Sequence, residues 1–182
     1  AVPILGVNPG RLGFLTSCSA ADLKPALASV AAGDYDVDER MALRAEAMHA
    51  DGTPREGWQA LNDIVMHKGG FARMLTVRVA VDDEVLGAYN CDGIVVASPT
   101  GSTAYSLSAG GPLVTPSLDS IILTPISAHA LAIRPIVLPP NVTVTLEAID
   151  GPEEVLITVD GQAGTQLGPG DSLMVRRAPR AV

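Results

Sequence analysis

Short apolar runs that alternate with polar residues, each closed by a turn signal, recur down most of this sequence and constrain its fold class more than any other feature. Leu75, Val77, Val79 and Val81 alternate with Thr76, Arg78 and Ala80, and Asp82-Asp83 then turns the chain back into Val85 and Leu86. A period of two with such a turn predicts a β-hairpin. Ile94 to Ala97 is a fully apolar strand, Ile121 to Leu123 another, and Pro135 to Leu138 an edge piece bounded by Pro139-Pro140. Val142, Val144 and Leu146 continue the pattern, followed by Val155, Ile157 and Val159, a Gly168-Pro169-Gly170-Asp171 turn, and Leu173 and Val175. One helix, Ser102 to about Gly110, interrupts this β-rich body. The expected class is mainly β, a sandwich-like domain over residues 35–182.

The start reads differently. Ala1 to Asn8 is a short apolar run of the kind found in buried parallel strands, and Ser19 to Ala32 reads as a helix. Ser17 or Ser19 can cap that helix, Leu23, Leu27 and Val30 share a face, and Gly33 ends it. Residues 1–34 therefore look like the β-α tail of an α/β domain. A free-standing strand and helix is the plainer alternative.

Composition narrows the function classes. The 182 residues carry 12 basic and 20 acidic side chains, a net charge of −8, which lacks the basic field of a general nucleic-acid binder. Hydrophobic residues make up 47% and charged residues 18%, so disorder is not expected. Aromatics are only 3%, so the core must be aliphatic, and an exposed aromatic gains interest. The 2 cysteines, Cys18 and Cys91, lie far apart and form no Cys-x-x-Cys, which fits a reducing cytoplasm and argues against a disulfide framework or a zinc site. No apolar run approaches the ~20 residues that span a bilayer, and no secretion signal is visible.

The run from Asp92 to Pro112 is the most unusual stretch. A buried strand delivers a polar, glycine-containing turn to a helix N-terminus, where N–H groups can meet an anionic or polar ligand. Thr100, Ser102, Thr103, Ser106 and Ser108 supply hydroxyls there, and Tyr105 offers a flat ring to a base or sugar. A plain Ser/Thr cap on a core helix would use the same residues. The run lacks the Gly-Lys-Ser/Thr of a Walker loop and the second glycine of a nucleophile elbow, so a triad of Ser102, His129 and Asp92 or Asp119 is disfavoured. Asn62-Asp63 puts an amide beside a carboxylate, a combination that suits a sugar diol or a base edge, or else an ordinary loop. Arg73 can pair with phosphate or stand solvated. Asp160-Gly161-Gln162 reads alone as a hairpin turn. His49, His67 and His129 show no ligand spacing, so no protein-bound metal is expected.

Taken together, the segments resemble the C-terminal part of the NAD kinase family. The residues that carry the likeness are Ile4-Leu5-Gly6-Val7-Asn8 with Gly10-Arg11-Leu12-Gly13-Phe14-Leu15, Leu61-Asn62-Asp63, Asp92 to Pro112, His129 to Ala132 with Arg134-Pro135, and Val159-Asp160-Gly161-Gln162. They stand in the family's order over essentially the whole chain, and the Pro99 to Ser106 run with Gly110-Gly111 is highly specific. The resemblance implies phosphoryl transfer from ATP, or from polyphosphate, to the adenosine ribose 2′-hydroxyl of NAD, giving NADP, with Mg²⁺ or another divalent cation accompanying the ATP.

Carried over residue by residue, Asn62 and Asp63 would contact the dinucleotide. Thr103, Ala104, Tyr105, Ser106, Leu107 and Ser108 would line the adenine and ribose pocket, and Arg73, Asp92 and Gln162 would complete it. The family fold, a Rossmann-like N-terminal domain joined to a β-rich C-terminal one, assembles as homodimers or homotetramers. Three departures stand out. The family's Gly-Gly-Asp-Gly-Thr loop, with the aspartate that activates the hydroxyl, normally precedes the Ile4-Leu5-Gly6 strand and is absent here, so these residues alone are expected to bind NAD weakly and to have little kinase activity. Asn90 stands where some relatives carry a basic residue, and Pro9 replaces a more usual leucine. Two other readings remain: a non-catalytic NAD(P)-binding or oligomerisation module, and the C-terminal domain of a related lipid or sugar kinase.

Overall fold

A computed structural model describes residues 2–10, 15–70, 73–128, 133–152 and 154–182, with 163 described by its backbone only. Of the motif residues named above, Arg11 to Phe14 and His129 to Ala132 lie outside the described set. The chain divides into a small unit, Ala1–Glu39, and a large one, Arg40–Val182.

In the small unit, strands β1 (Val7–Asn8) and β2 (Cys18–Ser19) pair in parallel, and helix α1 (Leu23–Ala32) follows. The expected buried strand is reduced to the two residues of β1. Val2 and Ile4 are 87% and 85% exposed, because the only described strand that pairs here is β2 and it is just as short. The helix stops where the sequence predicts: Gly33 takes φ +75°, a conformation that costs glycine nothing, and its N–H donates to the Val30 carbonyl. Asp22, not Ser17 or Ser19, occupies the N-cap position and makes no side-chain capping bond; the Ser19 hydroxyl donates to its carboxylate at 2.6 Å and accepts from its N–H at 3.3 Å.

The large unit is the expected β body, built as two six-stranded antiparallel sheets. The first takes the order β4 (Pro54–Ala60), β3 (Leu43–Met48), β14 (Ser172–Arg177), β11 (Thr143–Asp150), β6 (Leu75–Val81), β7 (Glu84–Cys91). The second runs β10 (Ile136–Leu138), β9 (Ile121–Ile126), β8 (Gly93–Ala97), β5 (Asp63–Lys68), β12 (Val155–Val159), β13 (Ala163–Leu167). The 75–86 hairpin forms β6 and β7, with Asp82 at φ 52° in the turn. Inward side chains of both sheets, among them Leu43, Leu75, Val144 and Leu173 from the first and Ile64, Ile94, Leu123 and Ile157 from the second, make one aliphatic core. Each such side chain removed from water stabilises by about 2 kcal/mol before the entropy of ordering is counted.

A second, smaller cluster lies on the opposite face of the second sheet. Val65, Val95, Ala97 and Ile122 are buried there with Val114 packed on them. Strand β8 is consequently buried at every residue. The cover comes from the segment after β8, and here the expected single helix from Ser102 to Gly110 is corrected. The chain makes a 3-10 turn (Thr100–Thr103), breaks at Ala104 (φ −97°, ψ −129°), and resumes as a four-residue helix α2 (Tyr105–Ser108). Hydroxyls explain the break, because they compete with the helical ladder. Ser102 Oγ donates to the Val114 carbonyl and accepts from the Val114 N–H, each at 3.1 Å, and Thr103 Oγ1 donates back to the Thr100 carbonyl.

Candidate functional site

The site grows from the point where β4 of the first sheet hands the chain to β5 of the second, at Leu61-Asn62. Strand β5 lies between β8 and β12. Both neighbours run past its start, and each leaves a polar residue beside it. From β8, the Ser98 N–H donates to the Asn62 carbonyl at 2.9 Å, and Ser98 Oγ donates to the Leu61 carbonyl. From β12, the Asp160 N–H donates to the Asp63 carbonyl at 2.9 Å. The Asp160 carboxylate then accepts three consecutive N–H groups, Leu61 at 2.9 Å, Asn62 at 2.8 Å and Asp63 at 3.0 Å. Every backbone donor and acceptor of Leu61, Asn62 and Asp63 is thereby satisfied, which leaves only the side chains to meet a ligand.

Gly101 closes the arrangement from above. A Cβ there would stand 2.0 Å from the Asn62 carbonyl oxygen, so only glycine lets the 3-10 turn lie against the segment. Its N–H donates to Ser98 Oγ at 3.1 Å.

The two side chains so presented differ. The Asn62 side chain is half-buried and makes no hydrogen bond to a described residue. Asp63 is 5% exposed, and its acid is pushed up to about 6, first by burial and then by the like charge of Asp160. A bond from the Tyr105 N–H pulls the other way. An ionised carboxylate in this place is poorly solvated and gains from any ligand that brings hydroxyl donors.

Beside it, on the outer face of the second sheet, a cleft of about 360 Å³ is lined by His67, Lys68, Gly70, Asp92, Tyr105, Ile126 and Thr158. Tyr105 is 46% exposed, and Asp92 meets Lys68 Nζ at 2.8 Å. His67 Nδ1 lies 2.9 Å from the Lys68 carbonyl.

The structure thus brings Asn62, Asp63 and Tyr105 together, with Tyr105 and Asp92 sharing the cleft. Thr103 and Ala104 are half-buried in the covering segment, and Leu107 and Ser108 are exposed on α2. Ser106 is fully buried, its Oγ 2.9 Å from Thr124 Oγ1 on β9, so this hydroxyl seats α2 on the sheet. Neither Arg73 nor Gln162 lines the cleft. Arg73 donates to the Asp150 carboxylate at 2.9 Å and to the Gly151 carbonyl, and Gln162 is exposed in the turn between β12 and β13. Cys91 is no nucleophile candidate: burial pushes its thiol up to about 11. Among the described residues, no three His, Cys, Asp or Glu side chains cluster as a metal cage, and no helix is long and apolar enough to cross a membrane. Sequence reasoning missed the part played by Asp160, Ser98 and Lys68. Asp-Gly after a strand is a common turn, and nothing local says that β12 will lie beside β5.

Known proteins share this architecture. Residues 61–182 match the family described as ATP-NAD kinase C-terminal domain. An NAD kinase of Gemmatimonas aurantiaca is 56% identical over 181 residues, which is 100% of this chain and 63% of the relative. One of Heliobacterium modesticaldum is 51% identical over 97% of this chain and 62% of its own length. The chain therefore spans under two thirds of these relatives. Among solved structures, a yeast NADH kinase complexed with NADH superposes with a TM-score of 0.92 at 31% identity, covering 100% of this chain and 53% of that one. An NAD kinase from Archaeoglobus fulgidus in complex with ATP gives 0.81 at 28% identity over 99% of this chain and 67% of its own. On the extent of the family match and the identity to curated relatives, the chain belongs to the NAD kinase family, as its C-terminal portion.

Proposed function

We propose that this chain is the dinucleotide-binding part of an NAD kinase. The reaction moves the terminal phosphoryl group of ATP, or of polyphosphate, to the 2′-hydroxyl of the adenosine ribose of NAD. A bond forms from the ribose oxygen to phosphorus, the bond to the donor's bridging oxygen breaks, and the hydroxyl proton passes to a base. Such transfers depend on positioning and on charge stabilisation more than on covalent chemistry. Positioning is the part these residues can supply. The single observation that carries the reading is the Leu61–Asp63 segment, whose backbone is fully bonded while Asn62 and the buried Asp63 point their polar side chains outward from it.

In this reading Asn62 and Asp63 take the ribose hydroxyls, and the Tyr105 ring lies along the adenine and ribose. Thr103, Ala104, Leu107 and Ser108 line the pocket, Ser106 fixes the height of α2, Asp92 completes the surround, and Arg73 and Gln162, outside the cleft, would meet parts of the ligand that extend beyond it. Mg²⁺ would travel with the donor phosphates. The described residues form no cage for it. The base belongs to the family's Gly-Gly-Asp-Gly-Thr loop. Residues 1–34 are the tail of the Rossmann-like domain, the enzyme works in the cytoplasm, and it assembles as a homodimer or homotetramer. Leu113 and Leu118, 66% and 56% exposed, support such assembly.

Calorimetric titration with NAD, NADP and a diacylglycerol tests the reading. Dinucleotide binding should weaken about tenfold or more in Tyr105→Ala and in Asn62→Ala, the scale of one lost well-placed contact. Uptake of the lipid in place of the dinucleotide would sink it.

A further inference from the structure

We infer that Asp160 is a positioning residue for dinucleotide recognition: by accepting the N–H groups of Leu61, Asn62 and Asp63 on one carboxylate, it fixes the direction in which the Asn62 and Asp63 side chains meet the ligand. The inference rests on the dinucleotide reading of the site.

The geometry is specific. Strand pairing between β5 and β12 ends at Ile64 opposite Val159, so the ladder supplies no acceptor for the three N–H groups before it. Asp160 takes their place by adopting φ 48°, a backbone conformation disfavoured for any residue with a side chain, which brings its carboxylate over the start of β5. Hydrogen bonds to an ionised acceptor are stronger than neutral ones, so the charge is part of the device. It also reaches Asp63 directly, because the like charge of Asp160 adds to burial in raising the Asp63 acid. The other elements against Asp63 bring few ionisable groups. Strands β8 and β12 have none, and residues 98–108 have only the phenol of Tyr105, with Arg40 bonded to Thr100 at 3.5 Å. Asp160 therefore both aims Asp63 and adds to burial in keeping its acid protonated.

The test is Asp160→Asn in the full-length protein that carries these residues, with NAD as the probe. The amide keeps the size and can still accept on one oxygen, but it offers a donor to the Leu61 N–H and carries no charge. NAD binding should weaken about tenfold or more. In the ligand-free protein, the Asp63 midpoint followed by carboxyl carbon NMR should fall below its value in the unaltered chain. A merely structural turn residue would lower melting temperature without weakening NAD binding in the folded variant. A folded variant in which either quantity stays at the unaltered value overturns the inference.

Should the variant not fold, amide exchange in the unaltered chain decides. Slow exchange at Leu61, Asn62 and Asp63 supports the clamp, and exchange at exposed-loop rates overturns it. Failure to bind NAD with those amides protected and the Asp63 midpoint still responding to Asp160→Asn counts against the dinucleotide reading and leaves the clamp in place.

Discussion

The two sheets have equal strand numbers and share one core, yet they treat their outer faces differently. The first turns a charged face outward. Arg78 pairs with Glu147 at 2.8 Å directly across β6 and β11, and Arg44 and Arg176 both hold Glu46, keeping its carboxyl below the ordinary range. The second sheet buries its central strands on both sides, under a segment rich in glycine and hydroxyls, and the candidate site lies at that cover's margin. One layer is a scaffold tolerant of change on its outer surface. The other carries the closest backbone approaches beside the site and a raised carboxylic acid, the kinds of feature that a fold tolerates where they serve binding.

Paired glycines offer the largest test of this contrast. Gly101→Ala drives a Cβ into the Asn62 backbone and should cost about 3 kcal/mol in urea unfolding, with NAD binding lost. Gly57→Ala on β4, whose Cβ would meet the Ala45 carbonyl oxygen at 3.3 Å, should stay within about 1 kcal/mol of the unaltered protein and bind NAD normally. Equal losses at the two positions would erase the distinction.

Asp63→Asn sharpens it further. Asp63 titrates near 6 in the fold against an ordinary 3.8, so the folded state holds the proton more tightly than the unfolded chain. Stability then falls as the pH rises from 3.8 through about 6 and stays lower above it. The amide removes that dependence. The variant should gain on the order of 1 kcal/mol over the unaltered protein at pH ~8, less or nothing at pH ~4, and bind NAD more weakly. A loss of stability at the higher pH would contradict this account.

The smallest effect belongs to the first sheet. Arg78→Ala should change stability by roughly 0.5 kcal/mol, fading with added salt, and leave NAD affinity untouched.

The same contrast governs what could be read from the sequence. Strands that alternate, such as Leu75 to Val81, or that are apolar throughout, such as Ile94 to Ala97, declare themselves because burial imposes a period. Strands β3 and β4 do not, since Ala45 and Ala47 are weak hydrophobic markers and Pro54 to Gln59 is mostly polar. At the start the described residues pair in parallel, as expected, only at Val7 and Asn8, and periodicity does not report how long a partner a strand will find. Within the candidate site, Asn62, Asp63 and Tyr105 were legible by residue type and by resemblance. Asp160 was legible only as a turn, because its partners are set by tertiary pairing.

Those partners lie 97 to 99 residues earlier in the chain. Between them the polypeptide passes from one layer to the other at 69–74, at Asp92, at 139–142 and at 151–154. Closing so long a loop carries an entropic cost that only a nearly finished fold can offset, and chains dominated by such distant pairings fold slowly. The Asp160 contacts are therefore expected to form late in refolding, and pulse-labelled hydrogen exchange should show the Leu61, Asn62 and Asp63 amides gaining protection after those of the β6–β7 hairpin.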